Sequence, residues 1–351
     1  MNSINVDINP KLKVPLRVPV LHYLGGVDPN LEWQVRTVAA HKPPEKKDQE
    51  KLEQQKKDAE HFIQTEEGIK SVKQFAAESS KVFQLLISNP NKLMNEYLEN
   101  KKFIFITGAM RTGGTFLEKK IFEAFNLDLS DYSLHIVHDS VPHEESIRNS
   151  FKTPSLMFTL FELAQFLVWA KREFKHSDVI IKKRTAFELS LPLLYSIFGN
   201  RAEYIVTLRH PVPAGYSMAK KRNYNVESYD SPEWWYNLVK QHKCIGHEQW
   251  DNYNYLERFI LYWQASYEKV ARNKLSEQNL RFITYNQSDY SYHVNEIADK
   301  FNGNKVDFSD FNVIKKNYNK VWSDKLLNDV LTNVSNQWEM NDMKFPNLEL
   351  V

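Results

Sequence analysis

Cysteine is nearly absent. Cys244 is the single one in 351 residues, which excludes an intramolecular disulfide framework and points to a reducing compartment, the cytoplasm. A dominant charge sign is missing too: 46 basic against 44 acidic residues leave a formal charge of +2 at pH 7. With no global field to draw nucleic acid or an anionic membrane, neither is expected as a partner, and any anion site has to be local. Long hydrophobic runs are lacking as well. The N-terminus, MNSINVDINPKLKV, has no apolar signal-peptide core. The most apolar long stretch, Ser155–Ala170, is broken by Glu162 and Gln165 and is too short for a bilayer, so no signal peptide and no membrane anchor are expected. Nor is there an internal repeat, or a His/Asp/Glu cluster at metal-ligand spacing; no metal is expected.

What is there is a chain of 42% hydrophobic and 13% aromatic residues, enough for a substantial core. Residues 1–100 read as an N-terminal arm and helical extension, and 101–351 as one α/β domain. The arm carries Pro10, Pro15, Pro19 and Pro29; the run EKKDQEKLEQQKKDAEHF, Glu45–Phe62, reads as a solvated helix because its charges alternate in sign. Ile69, Val72, Phe75, Phe83 and Leu86 have the spacing of a core-facing helix, punctuated by Asn89-Pro90-Asn91. Beyond Lys102, short apolar runs at Phe103–Thr107, Leu134–His138, Val179–Lys182, Tyr204–Leu208 and Phe282–Tyr285 predict strands. Helical patterns at Phe116–Phe125, Ser155–Phe174 and Leu256–Ala271 alternate with them. Strands this brief, separated by helices, predict a parallel sheet covered on both faces.

One absence is chemical. In Phe105-Ile-Thr-Gly-Ala-Met-Arg-Thr-Gly-Gly-Thr-Phe-Leu117 a buried strand feeds Gly108, and a helix starts near Phe116, as in a phosphate-binding loop. Yet Gly114 stands where a nucleoside triphosphatase needs the lysine that bridges its phosphates. The loop therefore suits a shorter phosphate chain, with Arg111 as a cation inside the turn and Thr115 as a hydroxyl donor. A second strand, Tyr204–Leu208, runs into Arg209-His-Pro-Val-Pro-Ala-Gly-Tyr-Ser217. Arginine at a strand's carboxyl end offers a fork for phosphate, proline starts the next helix, and Ser217 lies about two turns in. Two anion motifs at two strand ends imply a ligand with phosphate at both ends.

Arg111-Thr-Gly-Gly-Thr-Phe116 resembles the 5′-phosphosulfate loop of sulfotransferases, written [KR]-S-G-T-T-[WL], with Thr112 for serine and Gly114 for threonine. Arg209 to Ser217 resembles the family's 3′-phosphate motif, R-[DNH]-P-x-[DP]-x-x-x-S. Arg281-Phe-Ile-Thr-Tyr285, followed by a helix ending in Phe301-Asn-Gly303, resembles its Y-E-D strand and F-L-G helix end, with Asn286 and Gln287 replacing the acids. The resemblance covers about Phe103–Gly303. It implies a P-loop-like sulfotransferase fold, 3′-phosphoadenosine 5′-phosphosulfate (PAPS) as donor and 3′,5′-ADP as product. It also implies cofactor binding by Arg111, Thr112, Gly113, Gly114, Thr115, Phe116, Arg209, Ser217 and Tyr285, with Phe116 and Tyr285 near adenine.

Sulfuryl transfer needs charge stabilisation on the leaving 5′-phosphate, in-line placement of the acceptor and a base. Arg111 leads for the charge role, supported by Lys182 or Lys183 in Asp178-Val-Ile-Ile-Lys-Lys-Arg-Thr185, whose end resembles the family's K-T-H or E-K-T-P segment. Arg184 stands where relatives keep a histidine, and a guanidinium cannot serve as a base. Other branches of the family put a glutamate base at the end of the strand after the phosphate-loop helix; in the corresponding stretch, Ser133–Asp139, the resemblance implies either His135 or His138 as base, His138 preferred as nearer the strand end, with Glu144 in reserve. The family's C-terminal R-K-G is absent; Lys220, Lys221 and Arg222 either replace it or form a solvated helix end. Trp234, Trp235, Tyr236, Trp250, Tyr253 and Tyr255 either line a cleft for a small-molecule or carbohydrate acceptor or belong to the core. The N-terminal extension either covers the cleft or mediates a homo-oligomer. Two rivals stand beside a sulfotransferase: a catalytically silent PAPS or 3′,5′-ADP binder, and a small-molecule kinase with a degenerate loop.

Overall fold

The computed structural model describes residues 4–9, 12–37, 45–99, 101–137, 155–184, 191–272, 279–312 and 318–350. Its centre is a four-stranded, all-parallel sheet flanked by helices, in the order β4 (Val179–Lys183), β3 (Lys102–Gly108), β5 (Ala202–Leu208), β6 (Leu280–Thr284). β4 and β5 are buried at every residue, and β3 at all but its first, because a parallel strand covered on both faces has no solvent side. β6, at the edge, is only partly covered; it pairs with β5 from Tyr204↔Leu280 to Leu208↔Thr284.

By contacts the chain forms two compact units, one of Met1–Ile104, Phe125–Lys183 and Ser196–Ala202, the other of Phe105–Ala124, Arg184–Tyr195 and Glu203–Val351. In the first, β1 (Ile4–Asn9) and β2 (Leu12–Leu16) form an antiparallel pair where the sequence suggested only a proline-rich arm. Helix α2 (Pro29–Thr37) and the turn that joins it to α1 (Val18–Leu24) meet α3 (Lys46–Phe62) through a small cluster of Val27, Leu31, Leu52 and Ala59. The rest of α3 is mostly exposed, as its mixed charges predict. Thr65 caps α4 (Glu66–Ser88) by accepting from Gly68 N at 3.1 Å. Val72, Phe75, Phe83 and Leu86 are buried as expected, whereas Ile69, in the first turn, is 42% exposed. Phe83 stacks on Phe161 with centroids 4.1 Å apart, joining α4 to the long helix that spans Ser155–Glu173.

One predicted strand is not a strand. Leu134–Val137 forms a single helical turn, in which Ile136 N and Val137 N both donate to Ser133 O. A run of five residues carries too few periods to tell helix from strand, and here the deciding contact is tertiary. Lys182 Nζ donates to the Ile136 carbonyl at 2.5 Å, satisfying a helix-end acceptor that no ladder serves. His135 therefore sits on a helical turn, and His138 lies outside the described residues, as does Glu144.

The second unit contains α5 (Gly114–Ala124), α9 (Pro211–Arg222), α10 (Glu233–Gln241), α11 (Tyr255–Arg272), α12 (Gln287–Lys300) and α13 (Asp324–Glu339), counting the helix at 134–137 as α6, Ser155–Glu173 as α7 and Leu191–Phe198 as α8. Helix α11 is its hub: Trp263 Nε1 donates to Arg209 O and Trp338 Nε1 to Tyr267 O, both at 2.9 Å. Trp235 stacks on Tyr262, and Trp235, Trp250 and Tyr255 are buried, so these aromatic residues are core. Glu203 is fully buried and held between Arg281 and Lys300. No helix among the described residues is long and apolar enough to cross a membrane.

Candidate functional site

Strand order puts β3 and β5 side by side, with β4 beyond the one and β6 beyond the other. Chain connections leave these two neighbours in opposite directions, and the loops at their carboxyl ends flank the crevice where open parallel sheets bind ligands. The two motifs singled out in the sequence, after Thr107 and after Leu208, stand at those ends.

A buried polar network pins the loops together. Thr112 Oγ1 donates to Ala109 O at 2.8 Å and lies 2.7 Å from Thr207 Oγ1. Tyr267 donates from its hydroxyl to Thr207 O at 2.6 Å and accepts from Ala109 N at 3.3 Å, while Met110 N donates to Tyr262 OH at 3.3 Å. Thr112 thus uses its hydroxyl within the protein. The turn requires glycine at two points. Gly108 has φ +143°, and a Cβ there would stand 2.5 Å from Thr207 Oγ1; Gly113 has φ +92°, and a Cβ would meet Tyr290 OH at 2.2 Å. Between them Arg111 adopts a left-handed φ of 67°, unusual for a non-glycine residue.

That conformation sends Arg111 across the crevice. Its Nε donates to Ser217 Oγ at 3.0 Å, and Arg209 approaches from β5, donating to Arg111 O at 3.4 Å. The Arg209 guanidinium also lies 4.2 Å from the centroid of the Tyr285 ring, a cation–π contact. Arg111, Arg209, Ser217 and Tyr285 therefore meet, although three separate segments supply them. Gly114 and Thr115 open α5 beside them. Between Arg209 and α9, His210 caps the helix, its Nδ1 accepting from Val212 N at 3.3 Å, and burial lowers its pKa to about 4. The imidazole is neutral and structural.

Aromatic rings close one side. Phe116 lies near Tyr290, Phe308 and Phe311, and Tyr285 lies near Tyr290 and Phe311, with centroids 5.2–6.3 Å apart. Tyr290, fully buried, donates to Thr112 O at 3.2 Å, and desolvation keeps its phenol protonated far above the usual range. Phe308, Phe311 and Tyr290 were not singled out in the sequence; the three-residue spacing of Phe308 and Phe311 in the otherwise polar DFSDFN is the signal that marks the first two.

Lys182 and Lys183 end β4, buried, in the other unit, with Lys182 also 5.0 Å from the Phe166 ring. Arg184 is buried, its backbone N donating to Ile106 O at 2.8 Å. Lys220, Lys221 and Arg222 are exposed in the last turn of α9, where cations favour the helix dipole. Compared with known proteins, the chain matches no family model, no curated protein and no solved structure.

Proposed function

We propose that this protein is a cytoplasmic sulfotransferase that moves a sulfuryl group from PAPS to a hydroxyl or amine of a small-molecule or carbohydrate acceptor. The observation that carries the reading is the convergence of Arg111, Ser217 and Arg209 at the ends of two adjacent parallel strands. Two guanidinium groups and two hydroxyls, Ser217 and Thr115, suit an anion at each of two positions, and the rings of Phe116 and Tyr285 suit a base beside them. This donor set fits a nucleotide phosphorylated at two sugar positions better than a linear triphosphate, for which Gly114 offers no lysine. When bound, PAPS supplies the sulfuryl group and a 5′-phosphate as leaving group. Arg111 neutralises the 5′-phosphate and Arg209 and Ser217 hold the 3′-phosphate; the base that takes the acceptor's proton is His138 or His135, with Lys183 as a further cation.

Arg184, a permanent cation beside the two lysines of β4, favours a second reading, a nucleotide binder without turnover. The test has two parts. A thermal shift with 3′,5′-ADP in the absence of magnesium, and none with ATP and magnesium, supports the site; the reverse result sinks it in favour of a kinase. Transfer from labelled PAPS to a panel of alcohols, phenols, amines and sugars then separates enzyme from silent binder.

A further inference from the structure

Lys120 is a lysine in an unusual place. It lies in the middle of α5, one helical turn after Phe116, and is only 4% exposed. A buried ammonium persists only when its donors are satisfied. Here the three partners are the carboxylate of Glu123 at 3.1 Å, the carboxylate of Asp310 at 2.9 Å and the carbonyl of Asp307 at 2.8 Å. The same Nζ lies 5.8 Å from the Phe116 centroid and 5.5 Å from that of Phe308. Two of its three hydrogen-bond partners, and one of its two rings, belong to the segment 307–310, far away in sequence.

That segment has no regular secondary structure of its own, so its path is set by what holds it. Asn304 N donates to Ala124 O at 2.7 Å, Val306 N to Asn295 Oδ1 at 2.9 Å, and Gln287 Nε2 to Phe308 O at 2.9 Å. Lys120 is the one charged tie among these, and it acts just before Phe311. Phe311 in turn touches Tyr285, Phe116 and Tyr290 with centroids 5.2–5.3 Å away. The lysine therefore reaches the aromatic side of the site through the backbone at 307 and the carboxylate at 310, without standing in the crevice.

We propose that Lys120 is a positioning residue for nucleoside recognition: by clamping the 307–310 segment onto α5 it sets where Phe311 stands against Tyr285 and Phe116, and hence how well the site takes a base. This rests on the nucleotide-binding reading above. It separates two parts of the ligand, because Lys120 holds the segment that carries Phe308 and Phe311, whereas Arg111, Arg209 and Ser217 are the phosphate-facing residues.

The experiment is calorimetric titration of the full chain and its variants with 3′,5′-ADP and with abasic 1,2-dideoxyribose 3,5-bisphosphate. Lys120→Met keeps the aliphatic stem and removes the clamp. It should weaken 3′,5′-ADP about tenfold, the scale of one misplaced base–aromatic contact, while leaving the abasic bisphosphate within about twofold. Lys120→Arg should restore most of the difference, and Asp310→Asn, a change at a half-exposed carboxylate, should reproduce part of it. If Lys120→Met does not fold, Asp310→Asn decides alone. Equal losses for the two ligands, or no loss for either in a folded variant, overturn the role of Lys120 while the nucleotide site stands. Failure of the wild-type chain to bind 3′,5′-ADP overturns both.

Discussion

Arg111 and Ser217 lie 106 positions apart, yet the arginine Nε donates to the serine hydroxyl at 3.0 Å. The contact needs a left-handed residue in the loop after β3 and a serine two turns into the helix after β5, so each motif is half of one arrangement. Arg209, at the head of the second motif, completes it by donating to the carbonyl of Arg111.

Arg209→Ala separates the two phosphates of the proposed ligand. A charge-assisted contact contributes about 1.5–3 kcal/mol, so 3′,5′-ADP should bind roughly 10–100-fold more weakly to the variant. Binding of 5′-AMP, which lacks the second phosphate, should change far less. Equal losses for both nucleotides in a calorimetric titration would remove Arg209 from the 3′-phosphate.

Gly113→Ala tests whether the turn itself is required. The backbone at φ +92° resists any side chain, at a cost of about 1–2 kcal/mol, and the added methyl would collide with Tyr290 OH and with Tyr285 Cδ2, 2.2 and 2.4 Å away. Both rings belong to the aromatic side of the site. Lower thermal stability together with weakened 3′,5′-ADP binding is expected. A variant with wild-type Tm and affinity would show that this close approach is not needed.

Glu203 anchors β5 from within. Its carboxylate is fully buried, 2.6 Å from Arg281 Nε on β6, and paired also with Lys300 on α12. Removing the acid takes away one of the two carboxylates that hold Arg281, whose other nitrogen keeps Glu296 at 2.5 Å, so Glu203→Ala should destabilise by about 1.5–3 kcal/mol. Lys300, at 38% exposed, keeps access to water, and Lys300→Ala should cost below about 1 kcal/mol. Urea unfolding compares the two; similar shifts in midpoint would contradict the asymmetry.

Much of this was legible in the sequence because strand-end chemistry leaves a local mark. A buried strand, a glycine turn and a cation within a dozen residues can be read without a fold, as at Phe103–Phe116 and Tyr204–Ser217. Leu134–Val137 was misread because its conformation depends on a distant lysine, Lys182, and Ile69 because a helical stripe does not say where the partner surface ends. The β1–β2 pair was hidden by Pro15, which pairs with Asn5 in a ladder with no further strand, where a missing N–H is tolerated. Tyr290, Phe311 and Lys120 owe their places to segments that meet only in three dimensions.

His210 makes stability depend on pH in a defined direction. Burial lowers its pKa from 6.5 to about 4, so between those values the unfolded chain binds a proton that the folded chain does not. Stability is therefore full above pH 6.5 and falls as pH drops toward 4, by about 3 kcal/mol for a shift of this size. His242 shifts the same way, to about 4, through burial and the nearby Lys269 and Arg272, and adds to the slope. His210→Asn separates them, since asparagine also caps a helix and does not titrate. Urea midpoints through this window should fall less steeply for the variant than for wild type, with the remaining slope due to His242 and the carboxylates. Parallel curves would mean that His210 is protonated in the folded chain and that its Nδ1 does not accept from Val212.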